Sequence, residues 1–133
     1  MKNIDLANNK FNLTEDFCFK SHRIDEPGIS NKPPNVYSVN GISFNKQHNT
    51  FASVGQDGVY FFWNKDQKSK LKTTKPAPWP VTACDYIENA TLFAFAYGYD
   101  WGKGAEDAKK QPNIVKLFVR KVKDEEAFKK KST

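Results

Sequence analysis

Apolar and polar residues alternate in short runs along most of the chain, and each run ends in turn chemistry. In "DFCFK", Phe17 and Phe19 lie two apart, the period of one strand face. "VYSVNGISF" carries Val39, Ile42 and Phe44, "TFASVG" follows the polar turn "NKQHN", and "VYFFWN" follows the turn "GQDG". "SKLKTT" comes next, then the proline-broken connector "KPAPWP". The pattern restarts with "VTACDYI", the turn "ENA", "TLFAFAYGY", a long polar insert at 102–113, and "IVKLFVR". From Lys121 the chain is charged, and "DEEAFKKK" predicts one short helix. Helical periodicity is found nowhere else, so the predicted class is all-β.

The run Tyr60, Phe61, Phe62 and Trp63 is bulky on both sides of its pleat. A strand covered on one face alone would leave half of these rings in water, so the run needs neighbours on both faces. Spacing suggests what the neighbours are. "VNGISF" begins at Val39 and "VTACDY" at Val81, 42 residues on, and each unit reads as four short strands. Such a repeat resembles the blades of a WD-repeat β-propeller. The expected organisation is 1–23 as the outer strand of a preceding blade and lead-in, with 24–35 as an insert loop. Residues 36–75 follow as one blade, 76–120 as a degenerate final blade containing the insert 102–113, and 121–133 as a basic tail. That gives about two four-stranded blades of an incomplete ring. The WD resemblance also implies a hydrogen-bonded bracket of His22, Ser53, Asp57 and Trp63. In it the Trp63 indole N–H donates to Ser53, and Asp57 accepts from His22 and the turn backbone. The second unit ends in "FVRK" and has no tryptophan there.

Composition narrows the function classes. The chain has 133 residues, the size of one domain, and 21 basic against 15 acidic side chains give a formal charge of +6. Lysines crowd 65–75, 109–110 and 121–131, which suits an anionic partner. Cys18 and Cys84, both in apolar runs, fit buried free thiols in a reducing compartment. "MKNIDLANNK" has no apolar core of a signal peptide, and no run approaches the roughly 20 residues of a membrane span. An intracellular protein is expected, and the sequons at Asn12 and Asn89 then carry no weight.

No catalytic constellation emerges. Cys18 and His22 share a strand face without a third partner, His48 sits in a polar turn, and two histidines with two cysteines lack zinc spacing. "GYDWGKG" is not a phosphate-binding loop, because the glycine-to-lysine spacing and the following Ser/Thr are missing. No enzyme, metal, cofactor or small-molecule substrate is expected. Binding chemistry is better represented: Lys65, Lys68, Lys70 and Lys72 follow Trp63, and blade stacking would bring Phe19 and Lys20 toward them. Phe19, Lys20, Trp63, Lys65, Lys68 and Lys70 are therefore the RNA-binding candidates, aromatic rings for stacking and ammonium groups for phosphates. The same residues also fit a core tryptophan flanked by solvated lysines that guard a sheet edge.

Four segments carry a family resemblance: "FCFKSHR", "YSVNGISFNKQHNTFASVGQDG", "FFWNKDQKSKLKT" and "LFAFAYGYDWGKG". From Phe17 to Arg120 the chain resembles the C-terminal part of the RNA export factor (Gle-two) family of nuclear-pore propellers. The related mitotic-checkpoint propellers share "FK-x-HR" and "VN-x-ISF" but lack "YDW-x-KG", here Tyr99 to Gly104. The resemblance implies a non-catalytic ring in the nucleus, at the pore and nuclear envelope, with shuttling to the cytoplasm. Its implied partners are a peptide motif of an FG-repeat nucleoporin and RNA or ribonucleoprotein cargo. His22 and Arg23 are candidates to border the peptide, and Tyr97, Tyr99 and Trp101 to shape a rim contact. The alternative is a checkpoint adaptor that binds a kinetochore-kinase peptide. Family members close a full ring, so the chain is expected to be a piece of a longer protein or to complete itself by association, with apolar sheet faces left open.

Overall fold

The computed structural model describes residues 18–24, 33–110 and 115–127. A two-residue pair, β1 (Arg23–Ile24) with β2 (Asn35–Val36), leads into an antiparallel meander of β3 (Val39–Asn45), β4 (Thr50–Gly55), β5 (Tyr60–Asn64) and β6 (Ser69–Thr73). A second antiparallel sheet contains β7 (Val81–Ile87), β8 (Leu92–Tyr97) and β9 (Lys116–Lys121). Helix α1 (Gly104–Lys110) lies between β8 and β9, and α2 (Asp124–Ala127) follows β9. The architecture is an open, partial β-propeller: one complete four-stranded blade and three strands of the next.

The repeat is visible in the backbone. Register shifts fall between Val39 and Gly41 in the first blade and between Val81 and Ala83 in the second. The two innermost strands lie against each other, with the Ser43 hydroxyl donating to Asp85 Oδ1 at 2.8 Å and accepting the Tyr86 N–H at 3.1 Å. The turns are set by short polar side chains. Asn45 Oδ1 accepts the Gln47 N–H at 3.1 Å, and Asn64 Oδ1 accepts the Gln67 N–H at 2.8 Å. Between β4 and β5 the chain needs Gly58, whose φ is +73° and where a Cβ would sit 2.3 Å from the Ala77 carbonyl oxygen.

All five residues of β5 are buried, and its alternation divides them between two clusters. Tyr60 and Phe62 face the second blade, where Phe62 meets Phe93 at 5.2 Å and Tyr60 meets Phe95 at 4.8 Å between ring centroids. Phe61 and Trp63 face the opposite way, where Phe19 packs on Trp63 at 4.7 Å and His22 on Phe61 at 4.8 Å. The consecutive aromatics are thus the seam between stacked layers. Each ring is worth about 3–5 kcal/mol against truncation to alanine.

The structure corrects three sequence expectations. Of "DFCFK", Phe17 lies outside the described residues, while residues 18–20 form no strand and Cys18 is exposed rather than a core thiol. No described strand pairs with that segment, which is held by ring packing instead. The expected insert at 102–113 contains α1, with residues 111–113 outside the described set. Its acidic Glu106 and Asp107 precede Lys109 and Lys110, pairing at 3.6 and 3.7 Å in an order that suits the helix dipole. No α1 residue is buried, so the helix has no apolar stripe for a sequence pattern to detect. Finally, the second unit has three strands among the described residues rather than four, which leaves β9 at an edge.

Candidate functional site

On the first blade, four polar side chains meet beneath the aromatic face. The Trp63 indole N–H donates to Ser53 Oγ at 2.9 Å, Ser53 Oγ lies 3.0 Å from His22 Nε2, and His22 Nδ1 lies 2.9 Å from Asp57 Oδ1. Asp57 Oδ1 also receives the Val59 N–H of its own turn at 3.4 Å. One proton arrangement satisfies every contact: Nδ1–H donates to the carboxylate, and the Ser53 hydroxyl donates to Nε2 while accepting from Trp63. His22 and Ser53 are almost wholly buried. These bonds therefore fasten the lead-in segment to strands β4 and β5 in a water-poor setting. Gly55 permits the approach, since a Cβ there would sit 2.4 Å from His22 Nδ1.

This geometry separates the proposed contact residues. With a relative exposure of 0%, His22 offers no surface to a bordering peptide, whereas Arg23 is exposed on β1. Trp63, 4% exposed, is covered by Phe19, Phe51 and Phe61 and presents no ring face for a stacked base. Phe19 is half-buried in the same packing, and Lys20 is exposed beside it. The cationic members Lys65, Lys68 and Lys70 lie on the β5–β6 hairpin. Lys65 and Lys68 occupy the β5–β6 turn, Lys68 with φ 51°, and Lys70 Nζ lies 4.7 Å above the Phe61 ring and 5.8 Å from Trp63. Such cation–π contacts fix the ammonium without neutralising it. Lys72, on β6, pairs with Glu125 at 3.0 Å. That hydrogen bond and charge hold the Glu125 carboxyl below its ordinary range. On the rim, Tyr99 and Trp101 lie 5.7 Å apart, with Trp101 exposed, while Tyr97 packs against Phe95 and Phe118.

One feature of this region carries no periodic signal in the sequence. Arg120 makes two hydrogen bonds to Glu126, at 2.8 and 2.6 Å, and the Glu126 carboxylate also accepts the Lys123 N–H at 2.9 Å. The guanidinium lies 5.8 Å from Tyr60 and 5.9 Å from Phe62. The Arg120–Glu126 pair therefore ties the end of the second blade across the aromatic seam of the first. Burial raises the Tyr60 hydroxyl pKa, and nearby Arg120 opposes that shift. The run "DEEAFKKK" predicted a short helix, and α2 covers its first four residues; the partner of Glu126, six residues upstream, became apparent in three dimensions.

No family model matches the chain. Curated proteins do. Over 111 residues, 84% of its length, the chain is 41% identical to the "mRNA export factor" of Rattus norvegicus. Over the same length it is 40% identical to that of Danio rerio and 39% identical to that of Xenopus tropicalis. Over the matched residues, the chain is homologous to proteins named mRNA export factor. It spans 30% of the length of these relatives. Of the segments quoted for the resemblance, "FCFKSHR" runs through the lead-in to Arg23 of β1, with Phe17 outside the described residues, and the other three fall on β3–β6, β8 and the segment leaving β8.

Proposed function

We propose that this chain supplies propeller blades to an mRNA export factor that works in the nucleus and at the nuclear pore as a non-catalytic scaffold. The observation that carries this reading is identity near 40% over 84% of the chain to proteins named mRNA export factor. Its mechanism follows from rigidity: blades sealed by aromatics and a buried polar bracket hold their loops and edges in fixed positions. The ring face docks a nucleoporin peptide, with Arg23 as this chain's exposed candidate. The basic edge formed by Lys65, Lys68 and Lys70, together with Lys20, receives the phosphates of RNA or ribonucleoprotein cargo. Aromatic stacking on Trp63 has no part in it.

The test is a segment exchange. Residues 18–127 replace the matched stretch of a vertebrate export factor, and the hybrid is expressed in cells depleted of the endogenous protein. Restored cytoplasmic poly(A) RNA, seen by in situ hybridisation, is expected. Persistent nuclear accumulation with a folded, nuclear hybrid would refute the export role.

A further inference from the structure

The 42-residue repeat pairs each position of one blade with a counterpart in the other. The first blade meets the second through one side of its sheet, where Gly41 approaches Cys84, Ser43 bonds to Asp85, and Ala52, Val54, Tyr60 and Phe62 join the shared core. Ala52, Val54 and Phe62 are 0% exposed there. The counterparts on β7 and β8 are Ala83, Asp85, Ala94 and Ala96. Strand pairing sets Leu117 and Val119 in the places of Tyr60 and Phe62, since Leu117 lies opposite Ala96 and Val119 opposite Ala94, as Tyr60 lies opposite Val54 and Phe62 opposite Ala52. On the second blade this side is open. Leu117 is 72% and Val119 55% exposed, and Ala83, Ala94, Ala96 and Leu117 border an apolar groove of about 190 Å³.

The mating side shows the same asymmetry in reverse. The second blade receives the first on Cys84, Tyr86 and Phe93, with Phe93 and Tyr86 against Phe62 at 5.2 and 6.5 Å between ring centroids. Counterparts of these three on the first blade are Ile42, Phe44 and Phe51. Phe51 is half-buried, but Ile42 is 55% and Phe44 59% exposed. Large apolar side chains held side by side on an open sheet face mark an interaction surface. The lead-in borders this surface: Phe19-Lys20-Ser21 has the pattern of Leu71-Lys72-Thr73 in the outer strand β6, and Phe19 packs on Phe51 and Trp63. The first blade thus carries beside it the segment of an outer strand, while the second blade ends at β9 without one among the described residues. What one end of the chain lacks, the other end holds.

We propose that the chain stacks head to tail on a second copy of itself. Ala94, Ala96, Leu117 and Val119 of one copy lie on Ile42, Phe44 and Phe51 of the next, repeating between copies the contact that joins the two blades within one. Phe44 then takes on Val119 the part that Tyr86 takes on Phe62, and the alanines leave room for its ring. The lead-in of the next copy lies along the free edge of β9. Because the two surfaces differ, the contact is heterologous and propagates from copy to copy. It rests on the repeat and not on the export reading, so either can fail alone.

Sedimentation velocity of the 133-residue chain tests it. The weight-average mass is expected to climb with concentration from 15.2 kDa to twice that or more by about 0.1 mM. Phe44→Asp spoils one surface and Val119→Asp the other. Both side chains are exposed in the single chain, so the circular dichroism spectrum should not change. Each variant alone is expected to associate about tenfold more weakly or worse. Mixed in equal amounts, they keep one intact surface each and should pair once, at twice the single-chain mass. Ile42→Asp and Leu117→Asp replace either variant whose spectrum changes. A single-chain mass up to about 0.1 mM overturns the proposal and leaves the faces to a different protein. Association of Phe44→Asp equal to that of the unaltered chain also overturns it, in favour of a symmetric contact through β9. So does a mixture of the two variants that fails to pair.

Discussion

Ser53 is a small residue with a disproportionate number of dependents. Replacing it by alanine removes one oxygen, yet Trp63 Nε1–H loses its acceptor at 2.9 Å and His22 Nε2 its partner at 3.0 Å. Both groups belong to residues at most 4% exposed, so water cannot readily substitute. Stranding a buried polar group costs about 1–3 kcal/mol, and two of them set an expectation of about 2–4 kcal/mol for Ser53→Ala. Trp63→Phe keeps the Ser53–His22 contact but forfeits one hydrogen bond and part of the packing against Phe19, Phe51 and Phe61, for about 1–3 kcal/mol. In the double variant the indole donor is gone along with its acceptor. The combined loss should therefore fall short of the sum by about 1–2 kcal/mol. Urea unfolding followed by far-ultraviolet circular dichroism measures all three variants without relying on tryptophan emission. Losses that add to within about 0.5 kcal/mol would falsify the buried bracket as the fastening of the lead-in.

Three other outcomes are expected. Glu126→Gln leaves the half-buried Arg120 guanidinium without its counter-charge and should lower unfolding free energy by about 2–4 kcal/mol. A change below about 0.5 kcal/mol would mean that α2 does not hold the seam. Burial, with a smaller contribution from Asp85, pushes the Cys84 thiol up to about 11. At pH 8 its thiolate fraction is then about one part in a thousand, so iodoacetamide should label exposed Cys18 first, with Cys84 reacting only as pH rises toward 11. Equal labelling of the two at pH 8, read by mass spectrometry, refutes this ordering. Changing Lys65, Lys68 and Lys70 to glutamate should weaken oligouridylate binding and reduce the steepness of its log–log salt dependence by about 2, near 0.7 per lost phosphate contact. An affinity and slope matching the unaltered chain dismiss the lysine edge as the RNA surface.

The sequence by itself determined the layering. A strand pleat places successive side chains on opposite faces, so Tyr60 to Trp63 could be buried only between two neighbours, and the 42-residue return of the "VNGISF" pattern supplied one of them within the chain. Local chemistry likewise announced the turns at "NKQHN" and "GQDG". The tertiary structure decided which side of each residue is usable. Trp63 and His22 read as contact residues from composition and position, but folding spends both on the inside of the blade, where each bonds to the Ser53 hydroxyl. Helix α1 escaped detection because it is stabilised by its own end charges and buries nothing, so it leaves no apolar period. The Arg120–Glu126 pair and its place over Tyr60 and Phe62 were hidden for a different reason. Their parts come from segments that strand pairing and blade stacking bring together, and long-range proximity of that kind has no period along the chain.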